Sequence, residues 1–420
     1  DLDRVSGSRP VALTRIDGHA LWVNTRALEA AGIDGETPDP AGGKILRGGS
    51  GNPTGILVDE AMGLVLDLIP EVDRDSKARA IKRATKTMAR AGLTGAHDMG
   101  MSAEEVKIYR KVAGDLGVRI YGSIVYDDPD LAALLEDGPD LEWRRGTFKL
   151  GMVKYYVDGA LVSRGAALLE PYSDDPENRG LLIIEGPELD RGLRQSRQAG
   201  FQCAVHAIGD RANRLVLDTW ESIVRTHRDL VRGRSVPVAP LSLVGAVDPI
   251  VPPIRLEHAQ IIPPSDLKRL AGLGVVASMQ PTHCTSDMPW APERLGQERL
   301  AGAYAWRSLI SYGTVFAGGS DFPVESHDPR LGIYAAVSRK PSTDPTAPAW
   351  SPEQRLSRDE ALTAFTAGPA YVSGDLDQLG TITLTKQADF VVFDRNLVTC
   401  APREILEARP LLTVAVSYTH

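Results

Sequence analysis

Four side chains able to work on a divalent metal stand at the ends of four β-like runs. Lys154 lies in Phe148–Val157, His206 in Phe201–Ala207 and His258 in Ile254–Gln260, while Asp321 follows Thr314–Ala317 through Gly318-Gly319. Two neutral imidazoles suit zinc and similar borderline ions. A lysine cannot ligate as an ammonium. Deprotonated and carbamylated by carbon dioxide, it becomes a bridging carboxylate, and burial favours the deprotonation. An aspartate beside the metal can both ligate and accept a proton from an attacking water made more acidic by the ion. Taken singly, a strand histidine reads as a packed core group and a strand lysine as a snorkelling or salt-bridged one. What points to a site is the set, four strand ends in order along the chain.

Those strand ends need a frame that brings them together. From Gly92 onward short β-rich runs alternate with longer amphipathic stretches, the pattern of parallel strands joined by helices. Seven strands are expected: Gly92–Asp98, Val118–Tyr126, Phe148–Val157, Phe201–Ala207, Ile254–Gln260, Val275–Gln280 and Thr314–Ala317. Helices fit at Arg74–Ala91, at Val106–Gly117 behind a Ser102/Glu105 capping box, at Asp210–His227, and behind a second box at Ser357/Glu360. Val231–Pro253 has no clear period and reads as an inserted excursion. Thr381–Leu384, Ala388–Asp394 and Leu411–Val416 read as strands of a small β-domain. The expected class is therefore α/β, a (β/α)8 TIM-like barrel over residues 1–375, with part of a small β-sandwich domain over 376–420. Barrels of this kind close with eight strands and carry their sites at the C-terminal strand ends.

Composition narrows the function. The chain has 420 residues, 43% hydrophobic and 24% charged, with a net charge of −8, an ordinary globular balance that disfavours nucleic acid as a partner. Its three cysteines, Cys203, Cys284 and Cys400, are scattered. They suggest a reducing compartment and no structural zinc knuckle. No apolar run reaches the roughly 18 residues of a membrane span. The opening Asp1-Leu2-Asp3-Arg4 does not read as a signal peptide, and without an initiator Met it does not read as a natural start. The expectation is an internal cut in a cytoplasmic protein, with any earlier signal lost.

Several segments together resemble the amidohydrolase superfamily, and within it the family-3 branch of YtcJ-like or N-substituted-formamide-deformylase-like metal-dependent hydrolases. They are Lys154-Tyr155-Tyr156-Val157-Asp158-Gly159-Ala160-Leu161, Val205-His206-Ala207-Ile208-Gly209-Asp210-Arg211-Ala212, Arg255-Leu256-Glu257-His258-Ala259-Gln260 and Gly319-Ser320-Asp321-Phe322-Pro323-Val324. Asp17-Gly18-His19-Ala20 and the closing Ala388-Asp389-Phe390-Val391-Val392-Phe393-Asp394 add to the likeness, which covers nearly the whole chain. The resemblance implies that Lys154, His206, His258 and Asp321 lie on the fourth, fifth, sixth and eighth barrel strands. It implies one or two divalent ions, zinc favoured, with Lys154 carbamylated. The outer ion would take Lys154, His206 and His258. The inner ion would take Lys154, Asp321 and a His-x-His pair on the first strand. No His-x-His occurs in this sequence, so the first strand is expected to be missing and the inner site crippled. The small β-domain of the family draws on both chain ends, and truncation at the C-terminus is expected as well.

Around that core, His283 after the seventh strand could contact substrate or orient water, the alternative being a loop hydrogen bond. His97 ends the second strand and could approach the site, with packing as the alternative. His19 lies on a segment that covers the pocket in the resembling family. Arg164 could bind a substrate oxygen, unless Asp158 or Glu170 holds it. The reading is hydrolysis of a non-peptide C–N bond in a small molecule, an amide or N-substituted formamide, with Asp321 as catalytic base, in a possible homodimer. Its rivals are a cyclic imide, ester or lactone hydrolase of the same layout, and a barrel that binds a small molecule without turning it over.

Overall fold

The computed structural model describes residues 2–15, 20–40, 43–70, 72–140, 142–226 and 253–416. The described chain divides by its contacts into two compact units, Asp1–Ser76 and Lys77–His420. The sequence reading placed its boundary at 375/376 instead. The tail after 375 shares its unit with the barrel strands, and the separate body is at the other end of the chain.

The first unit is a four-stranded antiparallel sheet, ordered β1 (Ala12–Thr14), β2 (Ala20–Val23), β4 (Pro53–Asp59), β3 (Gly43–Arg47). Its core is small: Leu21, Val23, Ile45 and Leu57 from the sheet, with Ala27, Ile33, Met62 and Val65. Asn24 organises the turn into helix Thr25–Ala30. Its Oδ1 accepts from the Ala27 amide at 3.0 Å and the Val11 amide at 2.9 Å, capping the helix and holding the strand before it.

The second unit contains seven parallel strands in sequential order: β5 (Gly95–Met101), β6 (Arg119–Val125), β7 (Phe148–Tyr156), β8 (Gln202–Ala207), β9 (Arg255–His258), β10 (Val276–Met279) and β11 (Phe316–Gly318). All seven coincide with strands expected from the sequence, and the arrangement fits a TIM-like barrel. Among the described residues β5 and β11 pair on one side only. Strands β6 to β10 are buried on both faces, as central strands of a parallel sheet are, while β5 is mostly half-buried. One face, with Val153, Tyr155, Cys203, Val205, Leu256, Ala277 and Met279, joins the large core shared with the helices. The opposite face carries a separate small cluster of Tyr121, Met152 and Ala204. Side chains alternate along a strand. Lys154 is two residues past Met152, and His206 two past Ala204, so both belong to the inner face.

The capping boxes form as expected. The Glu105 amide donates to Ser102 Oγ at 3.2 Å and the Glu360 amide to Ser357 Oγ at 3.3 Å, and each glutamate reaches back to its cap amide. Helices run over Arg74–Arg90, Ala103–Val112 and Asp210–Thr226. No helix among the described residues is long and apolar enough to cross a membrane. Three expectations need correction. Strand β9 stops at His258 rather than Gln260, because His258 and Ala259 take positive φ, 71° and 45°. Strand β5 continues past Asp98 to Met101 through a register shift, so His97 is inside the strand and not at its end. Thr381–Leu384 is no strand: it has turns and bends, with Ile382 88% and Leu384 94% exposed. An apolar run without a pairing partner does not stay extended in a sheet. The excursion at 231–253 lies, apart from Pro253, outside the described residues.

The tail sheet pairs β12 (Phe390–Phe393) antiparallel with β13 (Pro410–Val414). A buried ion pair ties it to the barrel: Arg119 Nε meets Asp389 Oδ2 at 2.9 Å, with both side chains 6% exposed. Removing one partner leaves the other charge buried, which costs about 3–5 kcal/mol. Asp389→Ala should therefore lower the free energy of unfolding by about that amount in guanidinium denaturation. A change within experimental error would show that the pair does not anchor the tail.

Candidate metal centre

The strand ends converge. Lys154 is buried on β7, its Nζ 4.8 Å from the centre of the Tyr156 ring. The His206 and His258 rings meet edge to face with centroids 4.4 Å apart, and His283 stacks on His258 at 5.8 Å with an 11° interplanar angle. His283 Nε2 is 3.7 Å from Asp321 Oδ2. Five expected residues, Lys154, His206, His258, His283 and Asp321, thus share one end of the sheet.

Local backbone explains how. On strict alternation His258, directly after inward-facing Glu257, would turn away. Left-handed φ values at His258 and Ala259 swing it back, and Asp321 is also left-handed at 56°. Such conformations cost about 1–3 kcal/mol each in non-glycine residues and concentrate at functional sites. Fixed hydrogen bonds hold the turns in place. Buried Asn213 donates from Nδ2 to the carbonyls of Ala207, Ile208, Gly209 and Ile261 at 2.9–3.2 Å. One amide thereby joins the loop after His206 to the loop after His258. Asp158 accepts from the amides of Ala167, Ile208 and Gly209 at 2.8–2.9 Å, joining the loops after β7 and β8. Gly209 is required at that junction, because a Cβ there would stand 2.0 Å from the Ala167 carbonyl oxygen.

Desolvation dominates the electrostatics. Burial, with Lys154 nearby, pulls the His206 imidazole down to about 3. Burial and the neighbouring imidazole take His258 and His283 down to about 4. All three are neutral at pH 7 and present lone pairs. Burial lowers Lys154 to about 8, against the opposing pull of Glu257 and Asp321. For Asp321 burial acts upward, but His258, His283 and Lys154 outweigh it and hold the carboxyl below its usual value. Burial raises Asp158 to about 7 despite its three amide donors.

The donor set fits a divalent ion. Ligand atoms of His258, His283 and Asp321 all lie within 4.8 Å of one another. Nε2 of His206 and of His283 are buried without a hydrogen-bond partner, and orphaned buried polar atoms of this kind call for one. His258 Nδ1 lies 2.9 Å from Gln280 Oε1, while the Gln280 amide nitrogen donates to the Ser278 carbonyl at 3.3 Å. That orientation makes Nδ1 the donor and leaves Nε2 to ligate, the usual outer support of a metal-bound imidazole. His206 Nε2 faces Asp158 Oδ1 at 3.4 Å, long for a hydrogen bond.

Other expected residues fall elsewhere. Arg164 commits its guanidinium to Asp174, at 3.2 and 2.9 Å, and not to Asp158 or Glu170. Asp158 is occupied by backbone amides, and Glu170 faces Arg179 at 3.5 Å. His97 is packed inside the sheet, its Nδ1 2.7 Å from an Arg255 nitrogen and its ring against Tyr121. Packing, the alternative weighed for it, is what the structure shows. His19 lies outside the described residues. Sequence reasoning missed the supports Asp158, Gln280 and Asn213. An Asp-Gly directly after the lysine strand was a usable signal for the first of these. Nothing in the sequence singles out the glutamine or the asparagine.

The chain is similar to known proteins along most of its length. A family model described as "Amidohydrolase family" matches residues 1–416. The protein YtcJ of Bacillus subtilis (strain 168) is 36% identical over 96% of this chain and 73% of its own length. The N-substituted formamide deformylase of Arthrobacter pascens is 28% identical over 98% of this chain and 73% of its own. Among solved structures, an uncharacterized metal-dependent hydrolase from Pyrococcus horikoshii ot3 superposes with a TM-score of 0.72 at 26% identity, covering 94% of this chain and 73% of that one. The chain thus spans about three-quarters of the length of these relatives.

If Gln280 fixes the His258 tautomer, Gln280→Leu should weaken zinc binding about 10–100-fold, read by equilibrium dialysis. Unchanged affinity would remove Gln280 from the centre.

Proposed function

The chain belongs to the amidohydrolase family, and we propose that it is a metal-dependent hydrolase of a non-peptide C–N bond, an amide or N-substituted formamide, in a small molecule. The observation that carries this reading is the meeting of neutral, buried imidazoles with an ionised carboxylate at the C-terminal ends of the strands. Likeness to a formamide deformylase and to a metal-dependent hydrolase supports it.

In this reading Lys154, His206, His258 and Asp321 hold the ion, zinc favoured by the nitrogen donors. The neutral Lys154 amine adds to carbon dioxide and loses a proton, giving a carbamate ligand. When bound, the ion supplies Lewis acidity toward the substrate carbonyl and toward water. Asp321 accepts the proton of the attacking water as the C–O bond forms, and delivers it to nitrogen as the C–N bond breaks. The products are a carboxylate and an amine. His283, beside Asp321, orients the substrate oxygen. A further strand pairing with the free edges of β5 and β11 would close the barrel, and the resemblance assigns a second pair of imidazoles to it. The protein acts alone or as a homodimer on small molecules, with no role for nucleic acid.

Hydrolysis of a panel of N-substituted formamides, linear amides, cyclic imides and lactones tests the proposal, read as amine release for the first two and as ring opening to an acid for the others, with the protein loaded with zinc and after chelation. Turnover confined to the linear C–N substrates, and lost with the metal, is expected, at a low rate because the His-x-His pair that the resemblance assigns to the inner ion does not occur in this sequence. Asp321→Asn should reduce kcat about 10²–10⁴-fold. Turnover of lactones or imides alone would move the assignment to another bond within this layout. Zinc-loaded protein inert on every substrate would favour a binding protein.

A further inference from the structure

The cluster contains a second way to hold a cation, one that needs neither Lys154 nor His206. We propose that His258, His283 and Asp321 form a single-ion site of their own, two imidazoles and one carboxylate, which takes a zinc-like divalent cation without a carbamylated lysine. The proposal rests on the reading that a cation is held at this end of the sheet, and it changes which side chains hold it. His283 passes from a substrate contact to a ligand.

Geometry carries the inference. The three ligand atoms lie within 4.8 Å of one another, and His283 Nε2 is 3.7 Å from Asp321 Oδ2. Donors bound tetrahedrally at 2.0–2.1 Å from zinc stand roughly 3.4 Å apart, so the set has at most about 1.4 Å to close at its widest separation. Each imidazole offers the right atom. His258 Nδ1 is committed to Gln280, which leaves Nε2. His283 Nε2 is buried and has no partner. Two histidines and one carboxylate, with a fourth position left for water, make a catalytic zinc set known from unrelated folds. Asp321 keeps 34% of its side chain exposed, so the fourth position can face solvent.

The scaffold holds the two histidines in register. His283 stands on helix Pro281–Asp287, and Asp287, one turn further on, accepts from Gln260 Nε2 at 2.8 Å and from the Tyr304 hydroxyl. Gln260 is two residues beyond His258. The helix bearing one imidazole is thus tied to the segment bearing the other, and the rings lie nearly parallel, 11° apart. Lys154 has no part in the set. The proposal therefore predicts that removing Lys154 leaves cation binding intact, whereas a carbamate ligand requires that binding be lost.

The test is calorimetric titration of the metal-free 420-residue chain with zinc, comparing wild type, His283→Gln and Lys154→Met, with and without added bicarbonate. Thermal melts confirm that each variant is folded. Expected are one bound equivalent, no dependence on bicarbonate, and Lys154→Met binding within about threefold of wild type or more tightly. His283→Gln should bind about tenfold more weakly or worse. With cobalt in place of zinc, the visible spectrum should change in His283→Gln and persist in Lys154→Met. Loss of binding in Lys154→Met, or wild-type affinity in His283→Gln, overturns the proposal. Loss of binding in Lys154→Met leaves the lysine-centred set and the hydrolase reading standing. Absence of zinc binding in all three proteins overturns both.

Discussion

Removing three imidazoles, an amine and a carboxylate from water at one end of a parallel sheet is the constraint to which the rest of the second unit answers. Burial alone would drive every one of these groups toward its neutral form. It does so for His206, His258 and His283. Asp321 alone is carried the other way, by the surrounding nitrogen groups. The result is a cluster of imidazole lone pairs around one carboxylate, a set that offers ligands to a divalent cation. A charge is expensive to bury unpaired. The groups below the cluster are consistent with that rule: Glu257 lies against Arg255, its carboxyl pushed up by burial and pulled further down by Arg255 and Lys154, and Arg255 in turn contacts Ser278 and His97. A line of paired charges runs along the inner face and ends at the lysine.

Backbone geometry is given up to achieve this. Three of the strained residues, His258, Ala259 and Asp321, are at or beside the site. Their strain persists because neighbouring loops are over-determined: Asn213 binds four carbonyls and Asp158 three amides, and between them these two side chains fasten the ends of β7, β8 and β9. Neither side chain has to touch a substrate. Rigidity at the strand ends is what lets side chains from distant parts of the sequence hold one geometry, the general requirement for a metal centre.

The sequence disclosed the frame well, because parallel strands buried on both faces are written as apolar runs between amphipathic helices. All seven strands could be read, and the two Ser/Glu capping boxes formed at helix N-termini, although the helix expected at Val106–Gly117 runs Ala103–Val112. Lys154, His206, His258 and Asp321 were legible for the same reason: each is a polar residue at the end of an apolar strand. What was not legible depended on local backbone turns and on partners far along the chain. The bulge that extends β5 moved His97 from strand end to interior. Arg164 found Asp174, ten residues away in a loop, over Asp158 and Glu170, which are nearer in sequence. The run at 381–384 has strand-like residues and no strand to pair with. For His283 the sequence showed a site candidate after the seventh strand, but neither the helix Pro281–Asp287 that carries it nor its place beside Asp321.

Diffraction from crystals soaked in zinc, with anomalous differences measured at the zinc absorption edge, addresses the central claim most directly. The account predicts an anomalous peak at the C-terminal end of the barrel strands, within about 2.3 Å of an imidazole nitrogen of His258 and an oxygen of Asp321. No peak there, or zinc bound only at surface residues, would contradict it.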